Sequence, residues 1–168
     1  MGIKRVVKKA IRGLSVQKIP VRVPVLEGRL LEGRSALITG GTSGIGLAMA
    51  EAFAMNGSDV VITGRSRGRV DEAVDRVRRA RGAHGRVAGI VFDSSTRDEA
   101  SFGDALARAE DALGAPLDAL VNNAGVNAGR SIPGTGMEDF DLVIGTNLRG
   151  AYFLSQAFAR RMVESGAR

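Results

Sequence analysis

Cysteine is absent from this 168-residue sequence, and so is any apolar run approaching the length of a membrane-spanning helix. A helix that crosses a bilayer needs about 20 predominantly apolar residues, so we expect no such span. Without thiols there are no disulfides, thiolate metal ligands or cysteine nucleophiles, which is typical of a cytoplasmic protein. Otherwise the composition, with 44% hydrophobic and 25% charged residues, is that of one ordinary folded domain.

Lysine is missing from most of the sequence, since the four lysines are Lys4, Lys8, Lys9 and Lys18. Residues 1–34 hold nine Lys or Arg against two Glu, a balance of +7. The rest of the chain holds fifteen Arg against sixteen acidic residues, a balance of −1. A protein that binds nucleic acid needs positive charge over a face of its folded domain. The basicity belongs to one extension, and we expect no nucleic-acid partner.

Residues 1–30 are this predicted basic extension. Between residues 2 and 14, apolar side chains recur every three or four positions opposite Lys and Arg, which predicts an amphipathic helix. Pro20 and Pro24 then interrupt an alternating apolar segment that predicts an extended arm. A basic amphipathic helix suits an anionic membrane surface, but this one lacks an aromatic anchor. We favour packing against another subunit, or no fixed structure, over membrane binding.

From residue 31 to residue 168, short apolar segments alternate with amphipathic ones. The predicted strands are residues 36–39, 60–63, 87–92 and 119–121. The first predicted helix has one apolar face, formed by Ile45, Ala48, Met49, Ala52 and Phe53. A long last helix is expected to kink near Gly145 or Gly150. This alternation predicts an α/β fold of the Rossmann type, with a doubly wound parallel sheet in the order 3-2-1-4.

The first strand runs into a glycine-rich loop, Thr39 to Gly46, which opens the first helix. In such a sheet a ligand binds beyond the carboxyl ends of the strands, where the strand order reverses. Glycines allow the backbone to turn tightly and approach a ligand, and the amides at a helix start attract a pyrophosphate. The Gly-x3-Gly-x-Gly spacing therefore favours a dinucleotide site, with a ligand-free glycine turn as the alternative.

Three motifs follow one another along the chain: Thr39-Gly40-x3-Gly44-Ile45-Gly46, Asn122-Asn123-Ala124-Gly125 and Asn147-Leu148-x-Gly150. In order and spacing they resemble the short-chain dehydrogenase/reductase family, and the resemblance covers residues 31–168. Within that family, the sequence most resembles the 3-oxoacyl-carrier-protein reductases. The resemblance implies that residues 31–168 are the NAD(P)-binding part of an oxidoreductase.

The resemblance assigns most candidate site residues to the cofactor. Those that match the loop around the pyrophosphate are Gly40, Thr42, Ser43, Gly44, Ile45 and Gly46. Asn122, Ala124 and Gly125 match the segment that lines the adenosine and nicotinamide-ribose side. Asp93 matches the carboxylate that accepts a hydrogen bond from the adenine amino group. It is followed by Ser94, where the family often has an aliphatic residue.

Some of these residues also have structural alternatives. Asn147 matches the asparagine that helps to hold a catalytic lysine and a proton-relay water, so it is the candidate catalytic residue. A polar side chain buried in a helix needs a hydrogen-bond partner, so a purely structural Asn147 is the alternative. Asn122 and Asn123 alternatively tie strand ends together, and Asp93 is alternatively an ordinary surface aspartate.

The residues after the second strand bear on the choice of cofactor. NAD-binding sheets carry an Asp or Glu there for the ribose 2′-hydroxyl, but this chain has Arg65 and Ser66 and no carboxylate before Asp71. A guanidinium matches a 2′-phosphate in charge and geometry. We therefore expect NADP (NADPH) to be favoured over NAD, with a solvated Arg65 as the alternative.

The family's catalytic residues are missing from this sequence. By resemblance, the chemistry uses a serine on a fifth strand and a Tyr-x3-Lys pair. The only tyrosine, Tyr152, is followed four residues later by Gln156. We therefore interpret the sequence as an N-terminal piece of a longer enzyme, ending before the fifth strand.

The leading hypothesis is the NADP-binding part of an oxidoreductase, inactive on its own. Its parent would transfer hydride between NADPH and a small-molecule carbonyl or secondary alcohol, and is expected to be a homo-oligomer. One alternative is a non-catalytic nucleotide-binding module. Another is an interaction protein whose active part is the basic helix.

Overall fold

Four parallel strands form the centre of the computed structural model, which describes residues 29–80, 83–129 and 131–166. The strands are β1 (Ser35–Ile38), β2 (Asp59–Gly64), β3 (Val87–Val91) and β4 (Ala119–Val121), and they lie in the order β3-β2-β1-β4. The predicted order 3-2-1-4 is therefore confirmed. Because β1 lies inside the sheet, the glycine-rich loop leaves the carboxyl end of a central strand. The helix and arm predicted within residues 1–28 lie outside the described residues.

Five α-helices accompany the sheet: α1 (Gly44–Met55), α2 (Arg67–Arg78), α3 (Ala100–Leu113), α4 (Met137–Ile144) and α5 (Ala151–Glu164). A π-helical turn, Gly145–Gly150, joins α4 to α5. This turn lies where a kink in the last helix is predicted, and it is bounded by the two glycines that indicated the kink. None of the helices in the described ranges combines the length and the apolar character that a bilayer crossing requires.

The apolar core lies on both faces of the sheet because successive strand side chains point in opposite directions. Leu37 and Val61 face α3 and α5, where they pack with Leu106 and Leu154. On the other face, side chains of β1 and β2 pack against α1 and α2 in a second cluster that includes Ile38, Val60, Ile62, Val70 and Val77. Burial of both faces explains why the strands are almost entirely apolar.

The apolar face predicted for α1 is wrong. The residues that α1 buries are Gly46, Leu47, Ala50 and Ala54. Ile45, Ala48 and Ala52 are exposed, while Met49 and Phe53 are partly buried at the edge of the core. Both faces satisfy helical spacing, so periodicity alone does not choose between them. Close contact decides, because a Cβ on Gly46 would lie 2.6 Å from the Gly40 carbonyl oxygen, and only a glycine fits there.

Thr39, the residue after β1, fastens the end of this strand to the segment that follows β4. Its side chain is 2% exposed. The Oγ1 atom accepts hydrogen bonds from the Asn123 and Ala124 amides, each at 3.0 Å, and donates one to the Val121 carbonyl oxygen at 3.3 Å. A hydroxyl has one hydrogen and two lone pairs, so its bonding capacity is fully used.

Asn123 completes this connection from the β4 side. Its Nδ2 atom donates to the carbonyl oxygens of Thr39, at 2.9 Å, and Gly40, at 3.2 Å. Gly40 has a φ of +64°, and a Cβ there would lie 2.9 Å from the Ala124 Cα. A Cβ on Gly46 would lie 2.3 Å from Asn123 Nδ2. The glycine loop therefore packs backbone against backbone on the segment after β4.

Replacing Thr39 by valine tests this connection. Thr39→Val keeps the side-chain shape but leaves the Asn123 and Ala124 amides without their acceptor. An unsatisfied buried donor costs about 1–3 kcal/mol, so we expect the free energy of unfolding in urea to fall by at least about 2 kcal/mol. Thr135→Val is the control, because the exposed Thr135 hydroxyl donates only to the nearby Ser131 carbonyl oxygen, and its loss should change stability by no more than about 0.5 kcal/mol. Equal effects of the two substitutions would contradict the connection.

Candidate functional site

A cleft of about 450 Å³ lies at the carboxyl ends of the strands. This volume is within the usual range of about 300–1,000 Å³ for small-molecule sites. The lining residues come from the segments after all four strands, from α2 and from the π-helical turn: Gly40, Thr42, Ser43, Thr63, Gly64, Arg65, Ser66, Arg69, Phe92, Asp93, Ser94, Asn123, Ala124, Gly125, Val126 and Thr146. In the described ranges, no group of three or more His, Cys, Asp or Glu residues is arranged to hold a metal ion.

Eight of the thirteen predicted site residues line the cleft: Gly40, Thr42, Ser43, Arg65, Ser66, Asp93, Ala124 and Gly125. They come from the segments after each of the four strands. The fold therefore gathers residues that are up to 85 positions apart in the sequence, from Gly40 to Gly125, around one opening.

Three other predicted residues belong to the start of α1 but do not line the cleft. Gly44 begins the helix with a φ of +55°. The side chain of Ile45 is 75% exposed. Gly46 is buried against Asn123, as described above. Gly44 and Gly46 thus shape the backbone of the loop, and the role of all three residues in cofactor binding stays a prediction.

Asn122 and Asn147, also outside the lining, make structural contacts. Asn122 Nδ2 donates to Ser155 Oγ on α5 at 2.9 Å. The Asn147 side-chain amide binds both backbone groups of one residue: Oδ1 accepts from the Val126 N–H at 2.8 Å, and Nδ2 donates to the Val126 carbonyl oxygen at 2.9 Å. Asn147 is exposed and not buried, contrary to the expectation for a polar residue within this helix. The Asn147 contacts agree with the structural alternative for this residue, and its catalytic role stays a prediction. The Asn122 contact joins the end of β4 to a helix and not to another strand end, so its cofactor role also stays a prediction.

The β2 side of the cleft presents two arginines. Arg65 follows the strand and Arg69 lies in the first turn of α2. Neither forms a hydrogen bond or an ion pair with any residue that the structure describes. Arg67, between them, does not line the cleft and pairs with Asp71 at 3.7 Å. The sequence analysis missed Arg69, which becomes identifiable once α2 is known to begin at Arg67.

The β3 side presents one carboxylate and two small hydroxyl side chains. Asp93 is exposed, and its Oδ1 atom accepts from the Ser95 amide at 2.9 Å and from Ser95 Oγ at 2.8 Å. Its Oδ2 atom has no partner among the described residues and is free to accept a hydrogen bond from a ligand. Ser94 and Thr146 also line this part of the cleft. The sequence analysis did not predict them as site residues, because nothing local in the sequence indicates where a hydroxyl is buried.

The start of α1 directs the positive end of a helix dipole toward the cleft, which its N-cap residue lines. Ser43 is the N-cap residue, and the first turn of the helix contains no acidic side chain. The first amides of a helix have no intrahelical acceptor and attract anions. The cleft therefore combines the start of α1, two guanidinium groups that have no partner among the described residues, and a carboxylate.

Comparison with known proteins agrees with this arrangement. Residues 34–168 match the sequence profile of the short chain dehydrogenase family. The chain is 34% identical over 137 residues to gluconate 5-dehydrogenase of Gluconobacter oxydans, covering 81% of this chain and 51% of that protein. It is 35% identical over 136 residues to the NADP-dependent (R)-specific alcohol dehydrogenase of Lentilactobacillus kefiri, with the same coverage of 81% and 51%. The chain thus spans about half the length of the curated relatives that it matches.

A solved structure shares the fold as well as the sequence similarity. A short-chain type dehydrogenase/reductase from Mycobacterium marinum superposes with a TM-score of 0.74 at 30% identity, covering 86% of this chain and 56% of that one. The profile match, which extends over most of the sequence, and the parallel sheet with its glycine loop on the central strand together show that the chain belongs to the short-chain dehydrogenase/reductase family.

Proposed function

We propose that the cleft binds a nicotinamide dinucleotide, with the pyrophosphate at the start of α1. The family binds NAD or NADP. The observation that carries the proposal is the position of Gly40, Thr42 and Ser43, which line the cleft at the carboxyl end of a central strand and directly before a helix start. Backbone amides at such a place bind phosphate groups without any charged side chain. Asp93 would then accept a hydrogen bond from the adenine amino group.

NADP is the cofactor that the β2 side of the cleft favours. A 2′-phosphate bears negative charge and acceptor oxygens, which guanidinium groups bind through charge-assisted hydrogen bonds. Arg65 and Arg69 both line this side and have no partner among the described residues. A ribose 2′-hydroxyl would instead require a carboxylate, and Asp71 is engaged by Arg67. One relative, the alcohol dehydrogenase of Lentilactobacillus kefiri, is itself NADP-dependent.

The reaction proposed for the whole enzyme is hydride transfer between NADPH and a carbonyl or secondary alcohol on a small molecule. This chain's own residues would bind and orient the cofactor. The proton donor is the part that the sequence does not supply, since it contains no Tyr-x3-Lys. Tyr152 is 62% exposed on α5 and is not among the residues that line the cleft. We therefore propose that the 168-residue chain binds NADPH without reducing a carbonyl by itself.

Replacing the two cleft arginines tests cofactor selection. A hydrogen bond to a charged group is worth about 1.5–3 kcal/mol, and about 1.4 kcal/mol corresponds to a tenfold change in affinity. We therefore expect NADPH to bind roughly ten- to a hundredfold more tightly than NADH, as measured by titration of the dinucleotide fluorescence. Arg65→Gln and Arg69→Gln should each reduce this preference, and the double variant should abolish it.

Arg67→Gln is the matched control for both variants. It removes the same charge from the same segment, but Arg67 is paired with Asp71 and does not line the cleft. Its dissociation constant for NADPH should stay within about twofold of the unmodified chain, as expected for an exposed pair of small energetic value. Equal affinities of the unmodified chain for NADPH and NADH would contradict the proposed 2′-phosphate site.

A second prediction concerns turnover. A positioned general acid contributes typically about 10²–10⁴-fold to a proton-coupled reaction, and no Tyr, His, Lys or Cys side chain lines the cleft in the described part of the chain. We therefore expect no NADPH oxidation above background with acetoacetyl thioesters or simple diketones. Any activity that persists unchanged in Tyr152→Phe would indicate a contaminating reductase. Activity that disappears on this substitution would show that Tyr152 is a proton donor and would contradict the prediction.

A further inference from the structure

Two hydroxyl side chains of the cleft are nearly enclosed by protein and yet have no partner among the described residues. Ser94 is 8% exposed and Thr146 is 7% exposed. Neither side chain forms a hydrogen bond with any residue in the described ranges. Buried polar groups in folded proteins are almost always hydrogen-bonded. Since both residues line the cleft, the missing partner is expected to come from the cleft side.

The two hydroxyls still reach open space. Among the described residues, Arg149 Nε is the one buried side-chain atom that lacks a hydrogen bond and is completely enclosed. The hydroxyls of Ser94 and Thr146 also lack a hydrogen bond, but they are not completely enclosed. Thr63 also lines the cleft, and its hydroxyl likewise has no hydrogen bond to a described residue, but at 1% exposed it is less accessible than Ser94 or Thr146. Ser94 and Thr146 are therefore the better placed hydroxyls for a ligand.

Backbone contacts hold these two residues in the cleft wall. The π-helical turn lies directly against the segment after β3: a Cβ on Gly150 would be 2.0 Å from the Ser94 carbonyl oxygen, so only glycine is possible there. Arg149 Nη2 donates to the Ser95 carbonyl oxygen at 2.8 Å. Asn147, the residue after Thr146, binds the backbone of Val126, which also lines the cleft. Thr146 is thus fixed on both sides by neighbours in the same turn.

The nature of the ligand at this position follows from the neighbouring groups. With the pyrophosphate at the start of α1 and the 2′-phosphate at Arg65 and Arg69, the adenosine end of the dinucleotide lies toward Asp93. A carboxylate accepts hydrogen bonds and so prefers the exocyclic amino group of adenine. The ring nitrogens of adenine are acceptors and need donors, and the hydroxyls are the side chains of this wall that supply them.

We propose that Ser94 and Thr146 donate hydrogen bonds to ring nitrogens of the cofactor's adenine base and so determine how tightly the chain binds this base. The inference rests on the proposed dinucleotide function. It also gives Ser94 a role, at a position where the family resemblance leads one to expect an aliphatic side chain. An aliphatic residue would contact the base without a hydrogen bond, whereas serine binds its edge.

The experiment measures the dissociation constants of two cofactor fragments with the 168-residue chain by calorimetry. The fragment 2′,5′-ADP contains the adenine end, and reduced nicotinamide mononucleotide contains the other. Ser94→Ala and Thr146→Val should each weaken binding of 2′,5′-ADP roughly two- to tenfold, the usual effect of one neutral hydrogen bond. Binding of the nicotinamide fragment should not change. Thr146→Ser, which keeps the hydroxyl, should bind 2′,5′-ADP within about twofold of the unmodified chain, and Thr135→Val is the control outside the cleft.

Changing the ligand tests the same contacts in the unmodified protein, whether or not the variants fold. In the 1-deaza, 3-deaza and 7-deaza analogues of 2′,5′-ADP, a C–H group replaces one ring nitrogen. At least one analogue should lose the same two- to tenfold affinity, and Ser94→Ala or Thr146→Val should add nothing to that loss. Undiminished binding of all three analogues, or of 2′,5′-ADP by both variants, would overturn the inference and leave the proposed function standing. Failure of the unmodified chain to bind either NADPH or 2′,5′-ADP would overturn both.

Discussion

The Thr39 hydroxyl, with its three hydrogen bonds, is the interaction on which the cleft depends. It joins the end of β1 to the segment after β4, and Asn123 returns two hydrogen bonds to the start of the glycine loop. β4 has only three residues, and all of them are partly exposed, so burial of the strand itself does little to fix its end. The connection therefore sets where the glycine loop, and with it the start of α1, meets the cleft.

Polar groups around the cleft fall into two classes that differ in how completely they are hydrogen-bonded. Thr39, Asn123 and Asn147 use their hydrogen-bonding groups within the protein, and they hold segments together. The second class has bonding capacity that no described residue uses, and it includes Arg65, Arg69, Asp93 Oδ2, Ser94 and Thr146. These five residues all line the cleft. Because an unpaired polar group is costly when buried and is readily satisfied by a polar ligand, this division supports a binding site.

The sequence was sufficient for the strand order and for the glycine loop because both depend on local signals, namely alternation of apolar segments and the spacing of glycines. It was insufficient for the buried face of α1, since two faces fit helical spacing and the contact of Gly46 with Gly40 and Asn123 decides between them. Arg69 was missed because its place depends on where α2 begins, and Ser94 and Thr146 because burial of a hydroxyl is a property of the tertiary structure.

The central claim is that the cleft at the carboxyl ends of the strands is a dinucleotide site, and a titration of the ¹⁵N-labelled chain with NADPH, followed by NMR, tests it most directly. We predict that the amide signals of residues 40–46, 65–69 and 93–94 shift together with one dissociation constant. Signals near Val163, at the far end of α5, should not move. Shifts concentrated on α5, or no shifts at NADPH concentrations that saturate related enzymes, would contradict it.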